Sequence, residues 1–149
     1  MNLTHVNEKG KAKMVDISRK EIVHRVAKAS GKIFLGKETL KLIRENLVGK
    51  GDVISTARIA GISGAKLTSS LIPLCHNIVI NKIDVEFEIE EDGILIRSEA
   101  ICDGKTGIEM EALTAVSISA LTVYDMCKAV DKNMVISDIK LVEKIKNEI

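Results

Sequence analysis

Residues 108–130, IEMEALTAVSISALTVYDMCKAV, decide the fold. Apolar residues fall on nearly every side of this run: Met110, Leu113, Val116, Ile118, Leu121, Val123, Tyr124 and Met126. The spacing predicts a long helix, and a helix that is apolar all round is buried all round. The chain has 149 residues, enough for one core but not for two. A single unit of that size has difficulty covering every face of such a helix, so part of it is expected to lie against another subunit.

Upstream, residues 78–102 (IVINKIDVEFEIEEDGILIRSEAIC) hold two β-rich runs around Glu91-Asp92-Gly93. Asp-Gly between such runs is a hairpin signal. Ile83, Val85, Phe87 and Ile89 alternate with Asp84, Glu86 and Glu88, so one face of this strand is wet. Downstream, residues 134–147 (MVISDIKLVEKIKN) read as a last strand with basic residues on one side. Residues 20–35 admit two readings. Ile22, Val26 and Ala29 fit a helix, and the β-branched content fits a strand; the strand is taken here.

Residues 37–48 place Leu40, Ile43 and Leu47 at helical spacing, before Gly49 and Gly51 break the run. Asp52 then predicts the N-cap of a second helix reaching to about residue 71. Gly61 and Gly64 inside it need a reason, because an interior glycine costs roughly 0.5–1 kcal/mol relative to Ala. Ala57, Gly61 and Ala65 fall four apart and form a smooth stripe, which lets another backbone come close. Pro73, the only proline, stops the chain shortly after this helix. The order predicts an antiparallel sheet with helices on one face, an α+β sandwich. Residues 1–17 are polar and basic and read as a flexible N-terminal segment. Residues 18–149 read as one α+β catalytic domain.

Composition narrows the function. Aromatic residues are 2% of the chain and the formal net charge is +1; neither base stacking nor a strong basic field favours nucleic acid. No apolar run reaches the ~18 residues of a membrane helix, and the N-terminus lacks a signal-peptide core. Three widely spaced cysteines without a CxxC pair point to a reducing cytoplasm rather than a disulfide framework.

The polar exceptions on the central helix carry chemical information. Glu109 and Glu111 sit at its start, where carboxylates suit the helix dipole. Asp125 and Lys128 sit three apart near its end. An ordinary ion pair is the plainer reading of that spacing, since such pairs are common and weak. From Glu111 to Asp125 is about 21 Å along a helix, and both point within roughly 40° of one face. If they serve one site, the helix must break or two chains must contribute. Lys50 in GKG and Lys105 in GKTG lie between glycines beside predicted helix starts, where backbone can approach an anion; a simple turn is the plainer reading of either. Lys66 stands on an otherwise small and apolar helix, where a snorkelling lysine is the competing reading. Cys75-His76, just after Pro73, make a poor zinc pattern, and nothing nearby in sequence activates the thiol. His76 supplies a group that titrates near neutral pH; His5 and His24 have no comparable context. Together these residues suit an anionic small molecule bound by an oligomer.

Several stretches taken together resemble one family: LTHVNEKGKAKMVDIS, KGDVISTARIAGISGAK, LIPLCHNI and KTGIEMEALTAVSISALTVYDMCKAVDKNMVI. They are similar to the cyclic pyranopterin monophosphate synthases of molybdenum cofactor biosynthesis, from about Leu3 to Leu141. The resemblance implies a ferredoxin-like fold assembled as a hexamer, a trimer of dimers, with sites at subunit interfaces. It implies a diphosphate-releasing lyase acting on 3′,8-cyclo-7,8-dihydroguanosine 5′-triphosphate. It implies Asp125 and Lys128 as a buried acid/base pair, joined by Lys50 and His76 in the catalytic set. Leu74, Cys75, His76, Met110 and Glu111 match substrate-binding positions. Lys66 matches a lysine that holds the triphosphate or donates protons, Arg25 joins it, and Glu109 matches a further carboxylate. No resident cofactor or metal is implied, though magnesium can accompany a triphosphate. A non-catalytic nucleotide-sensing oligomer is the alternative from another class; an intact Asp125 among the lysines favours chemistry, because binding a triphosphate needs cations but no aspartate.

Overall fold

A computed structural model describes residues 3–149. The residues read as ambiguous form a strand, β1 (Val23–Phe34), followed by helices α1 (Lys37–Arg44), α2 (Val53–Lys66) and α3 (Thr68–Leu71). The hairpin β2 (Lys82–Ile89) and β3 (Gly93–Gly104) comes next, then the long helix α4 (Glu109–Cys127) and the last strand β4 (Val135–Asn147). The four strands pair antiparallel in the order β2-β3-β1-β4. The connectivity is therefore β-α-β-β-α-β, a split β-α-β arrangement, and the class is α+β as expected.

Alternation decides which face of the sheet is dry. In β1, Val23, Ala27, Ala29, Gly31 and Ile33 are buried, while the even-numbered residues from His24 to Phe34 are only partly so. Ile94, Ile96, Ala100 and Cys102 of β3 do the same beneath α4. The outer face is laced with cross-strand ion pairs, such as Lys32 with Asp92 at 2.7 Å and Arg97 with Glu88 at 3.1 Å. Exposed pairs of this kind add little stability, but they keep that face wet. The Asp-Gly turn closes as predicted, with Glu90 N–H donating to the Gly93 carbonyl at 2.8 Å.

Two expected boundaries are corrected. The first helix ends at Arg44, because Asn46 adopts a left-handed φ of 56° and Leu47 N–H turns back to the Leu42 carbonyl at 2.8 Å. Leu47 is thereby swung out, 63% exposed, instead of extending the buried stripe of Leu40 and Ile43. The second helix does not run unbroken to residue 71. At Leu67 (φ −104°, ψ 8°) the chain tightens, and the Thr68 hydroxyl caps the Ala65 carbonyl at 2.8 Å. Ile72 is then extended, as a residue before proline must be.

The glycine stripe on α2 meets α4 directly. A Cβ on Gly61 would lie 2.1 Å from Ser119 Oγ and 2.8 Å from the Ala115 carbonyl oxygen. Only a hydrogen fits there, which is why a residue poor for helices sits mid-helix. Ser119 Oγ donates to the Ala57 carbonyl at 3.0 Å across the same seam. Because Lys50, just before α2, reaches Asp125 near the end of α4, the two helices run antiparallel. The full coverage predicted for α4 is incomplete within the chain: Leu121 and Tyr124 remain 54% and 38% exposed.

Candidate active site

Ionisable groups gather at both ends of α4. At its end, Asp125 sits between two lysines: Lys128 Nζ lies 2.8 Å from Oδ1 and Lys50 Nζ lies 3.1 Å from Oδ2. The hydrogen bond from Lys128, then that from Lys50, holds the Asp125 carboxyl below its ordinary value. The hydrogen bond to Asp125 in turn raises Lys128. The burial expected for this pair is absent in the chain: Asp125 and Lys128 are 57% and 58% exposed. The last turn of α4 buries Met126 and Cys127 but leaves the face that carries Tyr124 and Asp125 open to solvent within the chain. The turn behind is pinned by Asp131, which accepts from Gly36 N–H at 2.8 Å and the Thr39 hydroxyl at 2.9 Å. That buried carboxylate escaped the sequence reading, because its partners lie more than ninety positions away.

At the start of α4 the environment is opposite. Glu111 is 3% exposed and its Oε1 has no hydrogen-bond partner within the described residues, nor does Glu109 Oε2. Burial, reinforced by the nearby Glu109 charge, pushes the Glu111 carboxyl up to about 6 from an ordinary 4.5. Gly107 lets Glu109 fold back on the chain, since a Cβ there would collide with Glu109 Oε2. Glu109 Oε1 meets Lys144 Nζ at 3.4 Å.

Two clefts share Thr106, Gly107 and Glu109. One, of about 270 Å³, is lined by Leu74, Cys75, His76 and Met110, and also by His5. The other, of about 550 Å³, is lined by Arg25 with Lys20, Lys144 and Lys146. A largely apolar slot therefore opens beside a charged wall, where the four basic residues stand among Glu21, Glu109 and Glu148; Arg25, Lys144 and Lys146 give it a place for phosphates beside a place for a ring. His76 Nε2 lies 2.5 Å from the Val15 carbonyl oxygen. A carbonyl only accepts, so His76 Nε2 carries a proton and donates it to Val15. Burial and the nearby Glu111 and Glu109 charges raise the Cys75 thiol, which keeps it protonated and argues against a thiolate nucleophile.

The sequence candidates thus divide. Leu74, Cys75, His76, Met110, Glu109, Glu111 and Arg25 come together at the start of α4; Lys50, Asp125 and Lys128 come together at its end, about 21 Å away along the axis. Lys66 lines a separate groove with Ile62, Ile78 and Ile80. Lys144 and Lys146 escaped notice as site residues. Their signal is the register that sets Arg25 opposite Lys146 on β4, and pairing of that kind cannot be read along one strand. The reading that gave His5 and His24 no context is corrected as well: His5 lines the slot, and His24 Nδ1 pairs with Asp103 at 2.8 Å.

The MoaC family model matches residues 14–147. The chain belongs to the MoaC family. Among MoaC relatives, one from Peptoclostridium acidaminophilum is 56% identical over 144 residues, covering 97% of this chain and 92% of its own length. One from Clostridium acetobutylicum is 55% identical over 143 residues, covering 95% and 89%. One from Heliobacterium modesticaldum is 53% identical, covering 95% and 91%. All three carry the name cyclic pyranopterin monophosphate synthase.

The state of Glu111 has a measurable consequence for this MoaC chain. Its folded pKa, about 6, exceeds the ordinary 4.5, so the folded state binds the proton more tightly than the unfolded state. The Glu111 contribution to stability is then greatest below about pH 4.5, falls as pH rises through about 6 and stays lower above that. The loss amounts to about 2 kcal/mol. Glu111→Gln should therefore unfold later than wild type at pH 8, with the advantage gone by pH 4. Thermal unfolding at both pH values checks this; an equal difference at the two would contradict it.

Proposed function

We propose that this chain is a cyclic pyranopterin monophosphate synthase, a lyase working as a hexamer whose copies share each active site. The substrate is 3′,8-cyclo-7,8-dihydroguanosine 5′-triphosphate. Its guanine-derived rings rearrange to a pyranopterin, a sugar hydroxyl attacks the α-phosphorus, and diphosphate leaves as the cyclic phosphate closes. The observation that carries the reading is Asp125 held between Lys50 and Lys128 in a chain of this family. Phosphate binding alone would require the lysines and be opposed by the carboxylate.

Within one chain that group is solvated, and a solvated aspartate with two lysines is a poor proton shuttle at neutral pH. Covering it with a second copy and the substrate would penalise both charged forms. Such covering brings proton transfer between Lys128 and Asp125 within reach, which is the condition for acid–base work. The exposed apolar residues Leu121 and Tyr124 on α4 and Leu141 and Val142 on β4 support such a covering. The β-α-β-β-α-β order supports the ferredoxin-like class. The slot beside Cys75 and Met110 takes the rings, with Glu109 and Glu111 accepting from ring N–H groups, while Arg25, Lys144 and Lys146 face the phosphates. Lys66 remains a phosphate or proton-donor candidate on an adjoining surface. No resident metal enters this reading; magnesium would arrive with the triphosphate. No helix is long and apolar enough to cross a membrane, and three unpaired thiols suit a cytoplasmic setting.

Incubating the protein with the cyclised dihydroguanosine triphosphate should release diphosphate and a fluorescent-derivatisable pterin. A folded wild type that binds this compound without turnover would favour the non-catalytic nucleotide-sensing oligomer instead.

A further inference from the structure

Residues 5–18 are folded onto the site. Lys13 N–H donates to the His5 carbonyl at 2.8 Å, Val6 and Ala12 form an antiparallel bridge, and Asn7 Oδ1 accepts from the N–H groups of Lys9 and Lys11. Gly10 turns this small hairpin with a φ of 73°. Two clips hold the segment down: the Val15 carbonyl on His76 Nε2, and Lys105 Nζ on the Ser18 carbonyl at 3.2 Å. The backbone of His5 is thus tied into the hairpin. Its ring makes no hydrogen bond among the described residues and lines the slot with Leu74, Cys75, His76 and Met110.

A slot for a fused ring benefits from flat faces, and this chain has almost none to offer. Phe34 lies under Lys32, Phe87 under Arg58, and Tyr124 sits far along α4. None of the three lines the slot; among the described residues the flat side chains there are His5 and His76. His76 is committed through Nε2 to Val15. We propose that His5 is a further substrate-contacting residue of this site, stacking its imidazole on the guanine-derived ring. The inference rests on the functional reading above for the identity of the ring, yet it is testable by binding alone.

Calorimetry with GTP, a stable probe carrying guanine and triphosphate, and with inorganic triphosphate separates the ring from the phosphates. His5→Ala should weaken GTP binding about tenfold, the loss of one stacked base, and leave inorganic triphosphate unchanged. His5→Phe, which keeps a flat face, should bind GTP within about threefold of wild type. Circular dichroism checks that both variants keep the fold. Unchanged GTP affinity in His5→Ala overturns the assignment, as does equal weakening of both probes, which would make the hairpin a mere support. Equal losses in His5→Ala and His5→Phe overturn the stacking. These outcomes are independent of turnover: a wild type that binds GTP through His5 but forms no pterin sinks the functional reading and leaves this contact standing.

Discussion

Lys128→Ala should reduce turnover of the cyclised triphosphate by about 10²–10⁴-fold, the range for removal of a general acid or base, with the fold intact. The lysine is 58% exposed and its partner in the chain is Asp125; losing a solvated ion pair barely moves stability. The unfolding midpoint should therefore stay within about 2 °C of wild type. A structural lysine would give the reverse pattern. Steady-state kinetics beside thermal unfolding distinguishes them, and turnover within about threefold of wild type would remove Lys128 from the mechanism. Thermal unfolding is followed without substrate, so the pair is not yet fully covered in the stability measurement; substrate completes the covering only during turnover, when a group that moves a proton is needed all the more.

Gly61→Val should produce the largest loss of stability of any single change considered. The new side chain would push into Ser119 Oγ and the Ala115 carbonyl oxygen, contacts of 2.1 and 2.8 Å for the Cβ alone. Ser119 could rotate away only by giving up its bond to the Ala57 carbonyl. The carbonyl of Ala115 is helix backbone and cannot yield without moving α4. Overpacking of this kind costs typically 1–3 kcal/mol, and the lost hydrogen bond adds about 1 kcal/mol. For a domain of this size, about 3 kcal/mol lowers the midpoint by roughly 6–12 °C. Since α4 carries both clusters, activity should fall below the unfolding temperature as well. A midpoint within about 2 °C of wild type would mean that the helices do not approach so closely.

The long helix, the Asp-Gly hairpin and the wet and dry faces of β2 were legible because each is a local period of apolar residues. The glycine stripe was legible for the same reason, and its partner proved to be α4. Helix ends were less so. Leu47 N–H closes α1 on the Leu42 carbonyl, and α2 stops where the Thr68 hydroxyl finds Ala65, choices made by single hydrogen bonds that leave no period behind. The site was legible where its residues lie in contiguous motifs, Leu74-Cys75-His76 and Glu109-Met110-Glu111. Lys144 and Lys146 were not, since only the β1–β4 register brings them beside Arg25. Asp131 and His5 likewise depend on contacts spanning most of the chain. The burial expected of Asp125 and Lys128 is not met within one chain, because an apolar helix says that its faces are covered without saying by which chain.

The central claim is that each active site joins the start of α4 from one copy to the end of α4 from another. Glu111→Ala and Asp125→Ala proteins, each inactive alone, can be mixed one to one under conditions in which subunits exchange, with exchange followed by mass spectrometry. A site that takes Glu111 from one copy and Asp125 from its neighbour is intact in about one quarter of random pairings, so about a quarter of wild-type turnover should return. Confirmed exchange with no recovered turnover would contradict the shared site.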